Sequence, residues 1–347
     1  GDRKELICSK LEEMADNYEA TGDKWRVYAY RKAVSAVRSH KKPICKFEEV
    51  SSIPGVGRKL GDKIWEIVEK GSFSKLDSVK NSEKMQIMNL FTNIHGVGSK
   101  TAEAWYAMGH RTLQDIKDKI VLTGPQTVGI DLYDDLVLRM PREEAAEIES
   151  FVRGKVHSID PNSICEVCGS FRRGKPTCGD LDLLITTPDG VSHSREVFQR
   201  MVLCYSSNRI MSPLLEELHS IGFLTHDLVS VSPEKTVNMH KYMGVCILPA
   251  GENERDRRHR RIDIICVPFS EYPCAVVYFT GSAYFNRSLR LLAQRRGMSL
   301  NEHHLKRNVV RRKGEKKTAG EIIPVSSEQE LFQVMGVPFR PPEERDW

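Results

Sequence analysis

What the chain lacks narrows its class first. No segment approaches the roughly 20 apolar residues needed to cross a bilayer. The opening Gly1-Asp2-Arg3-Lys4-Glu5 has neither an initiator Met nor a signal-like apolar stretch, so the chain reads as intracellular and trimmed. Its nine cysteines are odd in number and without secreted-type spacing, so they read as thiols rather than a disulfide framework. Cys165 and Cys168 have metal-ligand spacing, but no second Cys or His pair lies at a suitable distance, which argues against zinc. Neither sign of charge is scarce: 52 Lys and Arg against 47 Asp and Glu leave a net charge of +5, which permits a nucleic-acid partner without demanding one. With 347 residues and 40% apolar content, the chain is too long for one ordinary core and too apolar for disorder, so two or more packed units are expected.

The most informative stretch is Gly179-Asp180-Leu181-Asp182-Leu183-Leu184-Ile185. Carboxylates one residue apart on an apolar strand project from the same face. Upstream, Ile164 to Gly174 reads as a strand ending in a Gly169-Ser170 turn followed by Arg172 and Arg173, a cradle for a triphosphate. Asp263 lies in a second short run, Arg261 to Val267, closed by Pro268. If the two strands are neighbours, three acids meet on one sheet face. At an effective dielectric of about 20, each like-charged pair about 5 Å apart costs on the order of 3 kcal/mol. Divalent cations remove that penalty, and two of them can activate a hydroxyl and stabilise a departing pyrophosphate. Magnesium suits such oxygen ligands. Taken alone, Asp-x-Asp more often marks an exposed turn or a helix cap.

The first hundred residues are helical in pattern and hold an internal repeat. Ile53-Pro54-Gly55-Val56-Gly57-Arg58-Lys59 aligns with Ile94-His95-Gly96-Val97-Gly98-Ser99-Lys100. Each is an apolar residue, Gly-x-Gly and then a helix, leaving backbone N–H groups free at a positive helix end that attracts phosphate. The alternative is a pair of tight packing turns. The helical pattern is interrupted around Gly124-Pro125, and Met140-Pro141 with Glu143 and Glu144 marks a helix start, so a boundary between a helical and a catalytic half is expected there. Strands dominate from Ile164 to Val267, broken by turn residues at Thr187-Pro188-Asp189-Gly190 and by a helix through Leu214 to Leu218, giving an α+β arrangement. Ser282 can cap a helix with Phe285, Leu289 and Leu292 on its apolar side and Asn286 and Arg290 on another. Arg255 to Arg261 reads as a solvated basic loop, with phosphate contact as a secondary reading. His303 and His304 alternate on an expected strand and read as structural.

The Gly-Ser turn, Asp-x-Asp and later strand acid resemble the nucleotidyltransferase signature. Together with Cys168-Gly169-Ser170-Phe171-Arg172-Arg173-Gly174-Lys175, Tyr278-Phe279-Thr280-Gly281-Ser282-Ala283, Phe285 to Arg290 and both hairpins, they make the chain resemble a family X DNA polymerase over nearly its whole length. That family usually carries a BRCT domain and a Ser/Pro-rich segment before this core; neither is in this sequence. The resemblance implies a multidomain α+β fold: a helical lyase domain over 1–80, a helical fingers subdomain over 81–138, a mixed-sheet catalytic palm over 139–267 and a small α/β thumb over 268–347.

The resemblance also implies roles. Asp180, Asp182 and Asp263 hold two magnesium ions, with manganese as an alternative. Arg139, Gly169, Ser170, Arg173 and Gly179 receive the triphosphate, and Tyr278, Phe279, Ala283, Asn286 and Arg290 line the nucleotide and template pocket. Lys63 is the Schiff-base lysine of a 5′-deoxyribose phosphate lyase, its neutral amine favoured by repulsion from Lys59, four residues away on one helix face. Arg26, Tyr30, Arg58 and Lys59 bind the 5′-phosphate. Gly55, Gly57, Arg58, Lys59, Gly96, Gly98, Lys100, Arg287 and Glu302 contact DNA, with a monovalent cation at the hairpins. The implied substrates are gapped or nicked double-stranded DNA and deoxynucleoside triphosphates. The implied setting is a nuclear monomer working beside repair or end-joining proteins. Val202 to Ser212 is longer than its counterpart in relatives, which puts the local helix in doubt, and Asp227 to Tyr242 lacks the long loop of template-independent relatives. The rivals are an untemplated terminal transferase, a non-catalytic DNA-binding scaffold, and a nucleotidyltransferase for RNA or a small molecule.

Overall fold

The computed structural model describes residues 3–80, 82–188, 210–229, 241–249, 257–312 and 315–346. Asp189, Gly190, residues 202–209, 230–240 and 255–256, on which several sequence expectations fall, lie outside the described residues. The fold is mixed α+β, with two compact units meeting in the chain at Tyr133 and Asp134.

The first unit is helical. Arg3–Ala20 and Lys24–Ser39 form an α-hairpin, the second helix capped by Asp23, whose side chain accepts from Arg26 N. Their facing side chains, among them Ile7, Leu11, Met14, Ala33 and Val37, join Ile64, Ile67, Phe73 and Leu76 in one core. Burying each large apolar side chain stabilises the fold by about 1.5–3 kcal/mol. A second core gathers Met88, Phe91, Ile94, Trp105 and Ile116. Asn89 Nδ2 donates to Asn17 Oδ1 at 3.1 Å, linking helix Glu83–Thr92 to the first helix. The helical pattern is interrupted at 120–123, as expected around Gly124-Pro125, and Gly124 then begins helix Gly124–Asp131, with Pro in its first turn where a missing N–H costs nothing.

The second unit is built on a five-stranded sheet in the order Ile164–Val167, Leu181–Thr186, Arg260–Cys266, Lys241–Cys246, Leu224–Asp227. Leu181–Thr186 and Arg260–Cys266 pair in parallel, while their other neighbours are antiparallel. Alternation sorts the side chains. Leu183, Ile185, Ile262 and Ile264 turn into the larger core with Ile148 and Val152 of helix Arg142–Ile159 and Leu214 and Leu218 of helix 210–220. Leu184 and Ile265 turn the other way, onto Ala275 and Val276 of helix Tyr272–Thr280. Asp182 and Asp263 share this second face by period-two logic.

Helix Arg142–Ile159 begins directly after Pro141, with Glu143 and Glu144 in its first turn, as its sequence indicates. Ser282 caps helix Ala283–Arg295 by accepting from Phe285 N at 3.2 Å, and Phe285 and Leu289 are buried. A three-stranded sheet, Glu321–Ile323, Leu305–Arg307 and Ser299–Leu300, completes this part with helix Glu328–Val334. His303 and His304 are not on a strand. Asn301 Oδ1 accepts from both of their backbone N–H groups, at 3.1 and 2.8 Å, and this local turn overrides the alternating pattern.

Candidate active site

The parallel register places Asp182 directly beside Asp263, with Asp180 at the residue before the strand. Nearby cations balance the clustered charge. Arg261 Nη2 donates to Asp180 Oδ2 at 2.7 Å, and Lys241 Nζ lies 2.8 Å from Asp263 Oδ2. Asp263 is 4% exposed, and its Oδ1 is buried with no hydrogen-bond partner among the described residues. Burial, followed by repulsion from Asp180 and Asp263, pushes the Asp182 carboxyl up to about 7. The acids therefore meet at the backbone, but Asp180 and Asp263 are each engaged by a cation. Among the described residues no three metal-ligating side chains converge.

The Gly-Ser segment is a short helix, Gly169–Arg172, rather than a simple turn. Cys168 N donates to Asp182 O at 2.8 Å, tying it to the acid-bearing strand. Gly169 has φ +59°, and a Cβ there would lie 2.9 Å from Asp182 Oδ2, so both conformation and space select glycine. Arg139 folds onto the adjoining segment, its Nε and Nη2 donating to Thr177 Oγ1 and O at 2.8 Å each. It is also the side chain nearest the exposed Gly179. Arg173 Nη1 donates to Thr280 O at 2.6 Å.

A pocket beyond the acids is lined by Cys274, Val277, Tyr278, Asn286, Arg290 and Leu300. Asn286 Nδ2 donates to Tyr278 O at 2.6 Å, and the Arg290 guanidinium lies 5.8 Å from the Tyr278 ring. Phe279 meets Tyr278 edge-on, with Lys241 Nζ 6.0 Å from the Phe279 ring, so the lysine that pairs with Asp263 also lies over Phe279. Ala283 and Arg287 are exposed on the helix Ser282 caps. Glu302 stands in the Asn301 turn beside His303, whose Nδ1 lies 2.7 Å from Glu271 Oε2.

In the helical unit the two Gly-x-Gly segments adopt one conformation. Gly55 and Gly96 have φ +87° and +80°, and Gly57 and Gly98 cap helices Arg58–Lys70 and Ser99–Ala107 with extended backbone. Arg58, Lys59 and Lys100 are exposed at those helix starts. Lys63 is half-buried, with Nζ 3.2 Å from Lys59 O. Its pKa is lowered first by burial, with the charges of Lys59 and Lys75 adding to the effect, so repulsion is the lesser cause. Arg26 pairs with Asp23 at 2.6 Å and stays exposed, whereas Tyr30 is 5% exposed and sits in the core near Tyr18 and Phe73.

Four family models match successive stretches: a helix-hairpin-helix domain over 2–73, the fingers domain of DNA polymerase lambda over 89–137, the DNA polymerase beta palm over 139–269 and the DNA polymerase beta thumb over 275–346. The chain is 49% identical to DNA polymerase lambda of Rattus norvegicus over 98% of its own length and 56% of that relative's. It is 33% identical to DNA polymerase lambda of Arabidopsis thaliana over 95% of its length and 59% of that relative's. The chain belongs to the family X DNA polymerases. A third relative, DNA nucleotidylexotransferase of Ambystoma mexicanum, is 28% identical over 98% of the chain and 68% of its own length. The chain thus spans little more than half the length of these two DNA polymerase lambda relatives.

Several residues of this family X chain escaped the sequence reading. Lys241 opens a strand antiparallel to the Asp263 strand, and its approach to Asp263 depends on that register. Arg261 looked like the end of a solvated basic run, yet strand alternation puts it next to Asp180. A buried ion network was also missed. Arg172 binds both Glu328 oxygens, at 2.6 and 3.1 Å, and Arg345, wholly buried, donates to Glu328 Oε1 at 2.8 Å. These pairs join residues far apart in sequence, which no local pattern reports.

Proposed function

We propose that this chain is a template-directed DNA polymerase that fills short gaps during repair, in base excision and end joining, with a second 5′-deoxyribose phosphate lyase activity at Lys63. What carries the reading is the acid pair set in register beside a glycine-lined cradle. Buried Asp263 Oδ1 without a partner, the raised Asp182 and the all-oxygen donor set fit divalent cations. Asp180, Asp182 and Asp263 would hold two magnesium ions, or manganese, which when bound supply Lewis acidity and charge neutralisation for attack of a hydroxyl on the α-phosphate.

The chain's own residues do the rest. Gly169 and Ser170 offer a close backbone approach, and Arg173 and Arg139 add donors for the triphosphate and the charge that develops on pyrophosphate. Tyr278, Phe279, Ala283, Asn286 and Arg290 select the nucleotide and meet the template base. Arg261 and Lys241 serve as internal counterions that exchange their carboxylate partners for incoming ligands. The hairpins, with a monovalent cation at each, and Arg287 and Glu302 grip gapped or nicked DNA. In this reading 1–80 is the lyase domain, 81–138 the fingers, 139–267 the palm and 268–347 the thumb. Nuclear location, a monomeric state and repair or end-joining partners belong to the same proposal.

Primer extension on a one-nucleotide gap bearing a 5′-phosphate tests it. Asp263→Ala is expected to reduce insertion by more than about 10³-fold while gapped-DNA affinity stays close to that of the parent. Retained synthesis refutes the acid assignment. Incorporation that ignores the template base, in the manner of a nucleotidylexotransferase, refutes templated copying.

A further inference from the structure

We propose that Asp346 is a positioning residue for Arg173, fixing that guanidinium where a nucleotide triphosphate meets it. The proposal rests on the reading of Arg173 as a triphosphate ligand. Asp346 Oδ1 accepts from Arg173 Nε at 2.7 Å, and the two side chains are only 15% and 16% exposed. Thr280 O accepts from Nη1 on the same guanidinium at 2.6 Å. Nη2 has no protein partner among the described residues and is the nitrogen left for a phosphate oxygen. The other carboxylate oxygen, Oδ2, pairs with Lys175 Nζ, and Lys175 N donates to Ser170 O at 3.1 Å. One carboxylate thus closes the loop from Ser170 to Lys175 from outside.

The segment carrying Asp346 is itself held. Ser282 N donates to Arg345 O at 3.0 Å, and buried Arg345 bonds Glu328. Gly174, at φ +77°, lies so close to the same segment that a Cβ would sit 3.4 Å from Glu343 Cγ. A Cβ at Gly281 would sit 3.2 Å from Arg173 Nη1, so the guanidinium is confined on that side too. An unheld arginine carries about 2 kcal/mol of rotamer entropy. Prior bonding at Nε and Nη1 removes most of that freedom before a ligand arrives, which favours binding rather than the chemical step.

Single-nucleotide insertion on gapped DNA, with kcat and KM measured separately, tests the assignment in the chain of 347 residues. Asp346→Ala is expected to raise KM for the nucleotide about fivefold, with kcat changed less than about twofold. Asp346→Asn keeps an oxygen acceptor for Nε and is expected to restore most of the affinity, a rescue that general loosening of the fold would not produce. Arg173→Ala runs alongside and is expected to raise KM further. If Arg173→Ala raises KM while Asp346→Ala does not, Asp346 has no positioning role and the nucleotide reading stands. If Arg173→Ala leaves KM unchanged, both fall. A lowered KM in Asp346→Ala also overturns the assignment, since Asp346 would then compete with phosphate rather than place its partner.

Discussion

The hairpins of the helical unit and the acid site of the sheet unit are shaped by opposite means. Gly55-Val56-Gly57 and Gly96-Val97-Gly98 use backbone conformation alone: a left-handed glycine, then a glycine cap, with no charged side chain needed to set the shape. The acid site gathers three carboxylates and answers two of them with a cation, Arg261 for Asp180 and Lys241 for Asp263. A backbone site depends on what crowds the main chain. A side-chain site depends on its counterions being complete.

The sharpest test removes a counterion. Glu328 sits between Arg172 and Arg345, and Glu328→Ala leaves the wholly buried Arg345 without a carboxylate, while Arg172 keeps only Glu166. A loss of about 3–5 kcal/mol in urea unfolding is expected; a loss under about 1 kcal/mol would show that the network is hydrated and of little account.

The matching test for the hairpins is steric. A Cβ at Gly129 would lie 2.7 Å from His95 N and 2.9 Å from His95 O, so Gly129→Ala must push the second hairpin out of shape, at an expected cost of about 2 kcal/mol with weaker duplex binding. Gly98→Ala, with nothing within 4 Å of its Cβ, is expected to cost less than about 1 kcal/mol. Equal losses from the two would erase the distinction between crowding and conformation.

The smallest effect concerns Lys63, where the two strategies meet on one helix. Its folded pKa lies below the ordinary 10.5, so the neutral amine is present at lower pH than in a free lysine. Borohydride trapping on a 5′-abasic end should rise with pH through a midpoint below 10.5, and vanish in Lys63→Ala. Lys59→Ala removes a neighbouring positive charge, raises the Lys63 pKa and moves that midpoint to higher pH. Because burial is the larger cause, the shift is expected to recover only the smaller part of the difference from free lysine. A return to the ordinary lysine value would make repulsion the controlling factor.

Legibility in the sequence follows the same division. The Asp-x-Asp strand, the Asp263 strand, the Ser282 cap and the repeated hairpins are written in short-range patterns of period two, capping and glycine placement, and all could be placed from the chain alone. Lys241, Arg261 and Asp346 could not, because their partners come from register and from segments far off in sequence. Resemblance implies a phosphate-binding role for Tyr30, and its burial against Phe73 is a feature that resemblance does not convey. The alternation of His303 and His304 was real but subordinate to one asparagine side chain.

The parallel pairing of Leu181–Thr186 with Arg260–Cys266 has a kinetic corollary. Asp182 and Asp263 become neighbours only when a long loop closes, and non-local strand pairing is among the slower steps of folding. Their mutual repulsion is therefore postponed until Leu183, Ile185, Ile262 and Ile264 are entering the core that offsets it.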